Sequence, residues 1–253
     1  MIKEKRVVFL GSSLLGVKCF KHLLSCPDIK TIALLTYPPK IGGIYDLAYK
    51  ELIELARRHS VTLIEKEEDL LQFDLDIGFT VHHLKIIEKP IIDHFSVGIV
   101  NLHSGPLPEY RGNFPFIHAI CDGESAYGST IHFIDEGIDT GPIIKSSECD
   151  IGPEETSWQL FEKLRTILYD DFVSILSSVI SGAVKATPQS EIIKSTNIQP
   201  KTYTRSMLEE KRKIDSSWPQ EKIYNHVRAF QFPGIEPAYA IINGKKIYLK
   251  VNL

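Results

Sequence analysis

The feature that most constrains the fold of this chain is an alternation of short β-branched runs with helix-length amphipathic stretches over about its first 150 residues. This pattern is typical of a mostly parallel β-sheet with helices on its faces. Strands are predicted at Arg6–Leu10, Thr31–Thr36, Val61–Ile64, Asp76–Phe79, Val97–Leu102, Ser129–Ile134 and Ile143–Glu148. Helices are predicted at Leu14–Leu24, Tyr45–His59, Phe114–Cys121 and Ser157–Ser181. We therefore expect an α/β fold.

The last predicted helix marks the end of the α/β part. Thr156 and Gln159 have the spacing of a capping box at its start, and Gly182 stands where the helix is expected to stop. The chain beyond it is more polar and less periodic, with a helix predicted near Gln220–Phe230 and two short strands around Asn243-Gly244. The predicted units are residues 1–190, a large domain, and residues 191–253, a small α+β appendage.

Charge is distributed unevenly along the chain. The whole chain has a net charge of −3, whereas the part from Ser195 onward has ten Lys and Arg against five Asp and Glu, a net charge of +5. The excess positive charge has two interpretations with equal support: the appendage helps to bind an anionic ligand, or its charged residues are simply a solvated surface. Because the whole-chain charge is close to zero, it gives no argument for binding of nucleic acid or of an anionic membrane.

The sequence favours a cytoplasmic protein with reduced thiols. The longest uncharged stretches, such as Val173–Val184, are shorter than the roughly 18 to 20 apolar residues that span a bilayer, so we expect no membrane insertion. The start of the chain leads directly into a predicted strand and lacks the apolar core of a signal peptide. The cysteines form no C-x-x-C pair, which argues against a zinc site or a disulfide framework. They are Cys19, Cys26, Cys121 and Cys149.

The segment with the most chemical information runs from Asn101 to Gly112. Asn101 and His103 stand at the end of a predicted strand, where residues i and i+2 project to one side. Ligands of open α/β sheets bind at such carboxyl ends. Downstream, the turn Asp135–Gly141 combines carboxylates with glycines, a pattern that by itself is usually a hairpin loop.

Acyl transfer explains why these residue types occur together. It needs a donor for the developing oxyanion, a group that moves protons near neutral pH, and a carboxylate that keeps the proton carrier in its working state. Asparagine, histidine and aspartate can supply those roles. The strand end with Asn101 and His103, together with an aspartate of the downstream turn, is therefore a candidate catalytic set.

Two loops are open to more than one interpretation. The turn Gly11–Gly16 joins a strand to a helix, a position that favours an anion, but it lacks the G-x-G-x-x-G pattern and is not expected to bind a dinucleotide. The loop Pro38–Gly43 is either a flap over the ligand or a flexible connection.

Taken together, the motifs resemble the N10-formyltetrahydrofolate-dependent formyltransferases, which include glycinamide ribonucleotide transformylase and methionyl-tRNA formyltransferase. The resemblance covers about Val7 to Leu164 and rests on Asn-x-His, Leu-Pro-x-Tyr-Arg-Gly and Asp-Glu-Gly-x-Asp-Thr-Gly, in that order. It implies a Rossmann-like formyltransferase domain, Asn101, His103 and Asp139 as the catalytic trio, and N10-formyltetrahydrofolate as cosubstrate. The implied folate contacts are Phe79, Val81, His83, Leu84, Gly137 and Ile138.

One stretch departs from the family pattern. Between Phe79 and Leu84 the family usually has an aliphatic step and a proline, whereas this chain has Thr80-Val81-His82-His83. An adjacent histidine pair is a poor chelate for one metal ion, so we assign no metal. We expect one of the two histidines to face the ligand cleft and the other to face solvent.

The C-terminal stretches Val227–Tyr239 and Ile242–Leu249 resemble the sugar N-formyltransferases. These enzymes formylate an amine of a nucleotide-linked deoxysugar, commonly a dTDP-sugar used for surface polysaccharide such as lipopolysaccharide O-antigen. A diphosphate attracts Arg and Lys and a pyrimidine attracts an aromatic face, although the same aromatics would also form the core of an appendage. The implied substrate contacts are Ser12, Tyr110, Arg111, Gly112, Trp218, Tyr224, Arg228, Phe230 and Phe232.

The predicted function is therefore formylation of dTDP-4-amino-4,6-dideoxyglucose or a 3-amino isomer, with the position of the amine and the choice of thymidine or uridine left open. A methionyl-tRNA formyltransferase is an alternative, but we expect it to need a larger C-terminal module and a strongly basic tRNA-facing surface. A glycinamide ribonucleotide transformylase would be complete near the long helix. A catalytically idle nucleotide-sugar binding protein is the alternative outside the enzymes. The resemblance implies a homodimer.

Overall fold

The computed structural model describes residues 4–39, 44–83 and 85–251. Its strands are β1 (Lys5–Gly11), β2 (Ile29–Leu35), β3 (Thr62–Ile64), β4 (Leu75–Val81), β5 (Phe95–His103), β6 (Arg111–Gly112), β7 (Ala126–Phe133), β8 (Ile143–Asp150), β9 (Thr202–Tyr203), β10 (Lys213–Ile214), β11 (Tyr239–Ile242) and β12 (Lys245–Tyr248). Its helices are α1 (Ser13–Ser25), α2 (Ile44–Arg58), α3 (Lys89–Ile92), α4 (Pro115–Asp122), α5 (Ser157–Ser181), α6 (Gln189–Thr196), α7 (Arg205–Lys211) and α8 (Gln220–Ala229), with a 3₁₀ helix at Glu67–Gln72. Leu84 and residues 40–43 of the glycine-containing loop lie outside the described residues.

The main sheet has the strand order β3-β2-β1-β4-β5-β7-β8. The first five strands are parallel, whereas β7 and β8 run antiparallel to their neighbours. The prediction of a mostly parallel sheet in an α/β fold is confirmed. Because the strand order reverses between β1 and β4, the carboxyl ends of these strands border a crevice of the kind where open α/β sheets bind ligands.

Helix α5 covers one face of this sheet and closes its main apolar core. Phe172 on α5 meets Phe79 on β4 edge to face, with ring centroids 5.4 Å apart. The capping box at its start is present, since Thr156 accepts from the Gln159 backbone N–H and its own N–H donates to the Gln159 side chain. Gly182 ends the helix at a φ of +75°, as predicted. No helix in the described ranges is long and apolar enough to cross a bilayer.

The C-terminal part of the chain packs against α4 and α5. A second apolar core combines Phe116 and Leu160 of the large unit with Leu208, Val227 and Phe230 of the appendage. A short parallel pair, β6 with β9, adds backbone hydrogen bonds between the two parts. Strands β11 and β12 form the predicted hairpin. The division near residue 190 stays a prediction.

Candidate active site

Three polar residues lie side by side on adjacent strands of the sheet. Thr80 on β4 is in register with Asn101 on β5, which in turn is in register with His132 on β7. The Thr80 hydroxyl donates to Asn101 Oδ1 at 2.7 Å, and Asn101 Nδ2 lies 3.1 Å from His132 Nε2. These contacts fix the orientation of the Asn101 amide.

The tautomer of His132 follows from its other nitrogen. His132 Nδ1 lies 2.7 Å from the Phe133 carbonyl oxygen, which can only accept, so Nδ1 carries the proton. In the neutral ring, Nε2 is then an acceptor for one N–H of Asn101. Among the described residues no other group accepts from this amide nitrogen, so its second N–H is available to a ligand.

His103, the last residue of β5, is held in a defined tautomer as well. Its side chain is 8% exposed, and Nε2 lies 2.6 Å from the Tyr110 carbonyl oxygen, to which it donates. The neutral ring therefore has its lone pair on Nδ1, which lies 3.5 Å from Asp139 Oδ2. Burial lowers the pKa of His103 below its ordinary value, although Asp139 and the Tyr110 carbonyl act to raise it. His103 is thus a neutral base with Nδ1 as its basic atom.

Asp139 reaches the same place from the loop between β7 and β8. Its two carboxylate oxygens lie 3.5 Å from His103 Nδ1 and 3.5 Å from His132 Nε2, and the Gly112 N–H donates to the carboxylate at 2.8 Å. Burial alone would raise the pKa of this carboxyl. The positive charge that either histidine carries when protonated, together with the Gly112 N–H, nevertheless holds it well below its usual range, so Asp139 is an anion beside His103.

The loop that carries Asp139 is tightly packed at Gly141. A Cβ atom at this position would lie 1.8 Å from the Phe133 carbonyl oxygen, closer than real Cβ contacts allow. The loop backbone would have to move to accept any side chain. The position of the Asp139 carboxylate therefore depends on glycine here.

We expect Gly141→Ala to lower kcat about tenfold or more and to lower the free energy of unfolding by about 1–3 kcal/mol, the usual cost of overpacking. Gly152→Ala is the matched control, because a Cβ there would meet Glu155 atoms only at ordinary contact distance. Steady-state kinetics and urea denaturation measure both effects. Wild-type values for Gly141→Ala would show that the loop tolerates the shift.

The expected folate contacts of Phe79 and Val81 need correction. Both side chains are fully buried in the core, because β4 is a central strand with β1 on one side and β5 on the other. They are not available to a ligand. Leu84, a third expected contact, lies outside the described residues. Gly137 and Ile138 lie in the Asp139 loop, and Ile138 is 49% exposed.

The expectation that one of His82 and His83 faces solvent is wrong. The His83 ring is buried and lies 3.0 Å from a carboxylate oxygen of Glu67, which also accepts from Tyr37 and Lys85. Because His83 is bound in this way, it is not available as a folate contact. His82 Nδ1 lies 2.8 Å from the Ser13 hydroxyl, and burial together with the nearby positive charge of Arg165 lowers its pKa to about 4.

Three of the predicted substrate residues, Tyr110, Arg111 and Gly112, lie in the segment that contacts His103 and Asp139. Tyr110 supplies the carbonyl that accepts the hydrogen bond from His103 Nε2, while its ring stacks on Tyr203. Gly112 supplies the N–H that holds Asp139. Arg111 donates to the side chain of Gln189, and Ser12 donates to the His82 carbonyl.

The predicted substrate residues of the appendage divide into two groups. The guanidinium of Arg228 donates to Asn225 and to two backbone carbonyls, so it stabilises the junction instead of facing a phosphate. Phe230 and Phe232 are buried in the second core, which corrects the expectation that they present a face to a base. By contrast, Tyr224 is partly exposed and lines a groove along α8. Trp218 packs on His226 under the Lys222 ammonium.

Sequence reasoning missed Thr80 and His132. Both are buried polar residues next in space to Asn101, Thr80 just past the predicted strand Asp76–Phe79 and His132 inside the predicted strand Ser129–Ile134. The available signal was His132 itself, a polar residue in a β-branched run close to the Asp139 loop. Using that signal required knowing that β5 and β7 are neighbours.

Comparison with known proteins gives consistent matches. Residues 39–176 match the formyl transferase family. Methionyl-tRNA formyltransferase from Bartonella henselae is 30% identical over 241 residues, which cover 90% of this chain and 75% of that protein. A 4-N formyltransferase from Francisella tularensis superposes with a TM-score of 0.81 at 19% identity, covering 99% of this chain and 98% of that one. An N-formyltransferase from Helicobacter canadensis, in complex with folinic acid and dTDP-3-aminofucose, gives a TM-score of 0.77 at 23% identity, covering 98% and 86% of the two chains.

Proposed function

Because the chain belongs to the formyl transferase family, we propose that it transfers a formyl group from N10-formyltetrahydrofolate to the amine of a nucleotide-linked aminodideoxysugar. The observation that carries the proposal is the convergence of an amide, a neutral imidazole and a carboxylate. Asn101 and His103 come from the end of β5 and Asp139 from a loop far along the chain, yet the histidine and the carboxylate meet at 3.5 Å. Acyl transfer to an amine needs this set.

The sugar acceptor is supported by the match along the whole chain. The Francisella tularensis protein aligns over nearly the full length of both chains, appendage included. The Helicobacter canadensis protein, which binds a dTDP-linked amino sugar, shares the same fold over 98% of this chain. Tyr224 and Trp218 are the appendage residues left to bind a pyrimidine.

A methionyl-tRNA acceptor is the second candidate, because the sequence relative from Bartonella henselae carries that name. Such an acceptor needs a basic surface that follows the nucleic-acid backbone. The appendage has a net charge of +5, which already counts its own acidic residues, and two of its cations are held in ion pairs. Arg212 pairs with Glu209 and Glu236, and Lys211 pairs with Asp122. The sugar acceptor therefore remains the first proposal.

The folate slot is proposed to lie between the Asp139 loop and the segment before α3. Ile86 is 72% exposed and Ile138 is 49% exposed. An ion pair of 2.7 Å between Lys89 and Glu136 shows that these two segments approach each other. Exposed aliphatic side chains beside the trio fit the flat ring of a pterin.

The mechanism follows from the tautomers of the site. The neutral amine attacks the formyl carbon, and the second N–H of Asn101 donates to the developing oxyanion. His103 Nδ1 accepts the proton that the amine loses, and Asp139 stabilises the resulting imidazolium. His103 then returns a proton to the departing folate nitrogen as its bond to the formyl carbon breaks. Thr80 and His132 keep the Asn101 amide oriented throughout.

The pH dependence of kcat should report His103. The ring must be neutral to accept a proton, and its pKa lies below 6.5, so we expect kcat to fall only as the pH drops through that lowered value. Asp139 raises the pKa of His103, so Asp139→Asn should move this acid limb to lower pH while it lowers kcat. Profiles of kcat against pH measure both. A limb that moves to higher pH would contradict this assignment.

The acceptor can be tested directly. The protein is incubated with N10-formyltetrahydrofolate and a set of dTDP- and UDP-linked sugars that carry the amine at C3 or C4, with methionyl-tRNA in parallel. Mass spectrometry should find one sugar in which a formyl group replaces one amine hydrogen. If only the tRNA is formylated, the sugar acceptor is wrong and the methionyl-tRNA acceptor takes its place. The absence of any product would favour a catalytically idle binding protein.

Three finer expectations stay predictions. They are the use of the product for lipopolysaccharide O-antigen, the homodimer and the cytoplasmic location. The appendage spanning residues 191–253 is proposed to bind the nucleotide.

A further inference from the structure

Gln189, the first residue of α6, has a side chain whose contacts are unusually complete. It is 4% exposed. Its Nε2 donates to the Asp139 carbonyl and to the Gly141 carbonyl, both at 2.9 Å. Its Oε1 accepts from Arg111 Nε at 3.2 Å and from Arg111 Nη2 at 2.6 Å. Both N–H bonds and both lone pairs of the amide are therefore used.

The orientation of this amide is chemically determined. A guanidinium has only donors, so Arg111 must face Oε1, and backbone carbonyls have only acceptors, so they must face Nε2. A carboxylate or an apolar side chain at position 189 cannot satisfy both partners. The amide thus connects the β6 segment to the backbone of the Asp139 loop.

This loop needs external support because of its own conformation. Asp139 has a φ of +52°, in the left-handed region that side chains rarely adopt. Such conformations persist where the surroundings over-determine them. Gly112, the neighbour of Arg111 on β6, donates to the carboxylate itself. Gln189 holds the backbone of the same residue, so β6 restrains Asp139 at two points, once directly and once through Gln189.

We propose that Gln189 is a positioning residue that fixes the Asp139 carboxylate against His103 and so sets the proton affinity of the base. Without the amide, the carbonyls of Asp139 and Gly141 lose their donor, the loop relaxes, and the carboxylate moves away from His103. The inference rests on the proposed function only in taking His103 as the base.

The charged and titratable groups around His103 make this effect measurable. Asp139 faces Nδ1 from the loop, His132 faces the ring from β7, and His82 approaches from the end of β4. Among these, only Asp139 is an anion and raises the proton affinity of His103. The pKa of His103 therefore reports the distance to that carboxylate.

The experiment uses two variants. Gln189→Met keeps the side-chain volume and removes every hydrogen bond of the amide. Gln189→Glu keeps an acceptor for Arg111 but replaces the Nε2 donor with an oxygen, which cannot donate to the Asp139 and Gly141 carbonyls. Gln199→Ala is the matched control, since Gln199 is exposed and bonds only locally. The pKa of His103 is measured by NMR titration of the full chain, and kcat by formyl transfer. A melting curve establishes that each variant is folded.

We expect Gln189→Met to lower the pKa of His103, and both Gln189 variants to reduce kcat about tenfold with smaller changes in either KM. In an Asp139→Asn background, Gln189→Met should change kcat and the His103 pKa little further, because the carboxylate it positions is gone. A folded Gln189→Met with an unchanged His103 pKa would overturn the proposal, as would equal losses in both backgrounds. If Gln189→Met does not fold, the kcat of Gln189→Glu in the wild-type and Asp139→Asn backgrounds decides, with equal losses in both contradicting the proposal.

Failure of the proposed function gives a different result. A wild-type protein that formylates no acceptor would refute the formyl transfer, while the NMR titration would still decide on Gln189. The two ideas can thus fail separately.

Discussion

Replacing His103 with alanine is expected to lower kcat by roughly a hundredfold or more, within the range that one positioned acid–base group contributes. The expectation depends on the tautomer: the Tyr110 carbonyl holds the proton on Nε2, so Nδ1 is the basic atom and faces Asp139. Alanine removes that base and leaves Asp139 without its partner. Single-turnover measurements with saturating cosubstrates isolate the chemical step from binding.

Two controls show whether the loss of kcat is due to the missing imidazole of His103. His59→Ala should leave kcat unchanged, because His59 is an exposed residue at the end of α2. A melting curve should show that His103→Ala remains folded. Near-wild-type kcat in a folded His103→Ala would remove the imidazole from the mechanism.

Asn101 is the second position where a large effect is expected. Asn101→Asp keeps the shape of the side chain and removes both N–H donors, so the oxyanion loses its hydrogen bond and meets a negative charge. Loss of one such donor costs about 3–4 kcal/mol elsewhere, and we expect kcat to fall roughly a hundredfold to a thousandfold. Asn101→Ala should fall by a similar factor. Pre-steady-state rates at fixed pH provide the measurement.

The variant Thr80→Val distinguishes the loss of the Asn101 N–H donor from the loss of the contact that orients the Asn101 amide. It removes the hydroxyl that holds Asn101 Oδ1 but keeps the amide N–H bonds. Its loss of kcat should therefore be smaller than that of Asn101→Asp. If Asn101→Asp retains most of its activity, the amide is not the oxyanion donor.

Much of the fold could be predicted from local patterns. Each predicted strand and helix of the first 181 residues matches an observed element with ends shifted by a few residues. The elements with one buried side show a period, and the central strands with two buried sides show a continuous apolar run. By contrast, α3, α7 and the two-residue strands β6, β9 and β10 were not predicted, since elements this short contain too few residues for a period to show. Helix α6 is as long as α4 but was not predicted either, because it has no buried apolar face.

The candidate site could be predicted only in part, because its residues meet through tertiary structure. Asn101, His103 and Asp139 were indicated by residue type and motif, and the structure brings His103 and Asp139 together. Thr80 and His132, which orient the Asn101 amide, could not be identified without the strand order, and local sequence patterns do not determine strand order. The burial of Phe79 and Val81 was missed for the same reason, since β4 became a central strand only once the sheet was assembled.

The pairing of β6 with β9 has a consequence for the order in which the protein matures. Gly112, whose N–H holds Asp139, lies in a strand that is completed by Thr202 and Tyr203, about ninety residues later in the chain. A nascent polypeptide can assemble most of the parallel sheet before those residues leave the ribosome. It cannot form the β6–β9 pair beside the Asp139 carboxylate until they do, so this part of the candidate site is completed after the sheet that carries Asn101 and His103.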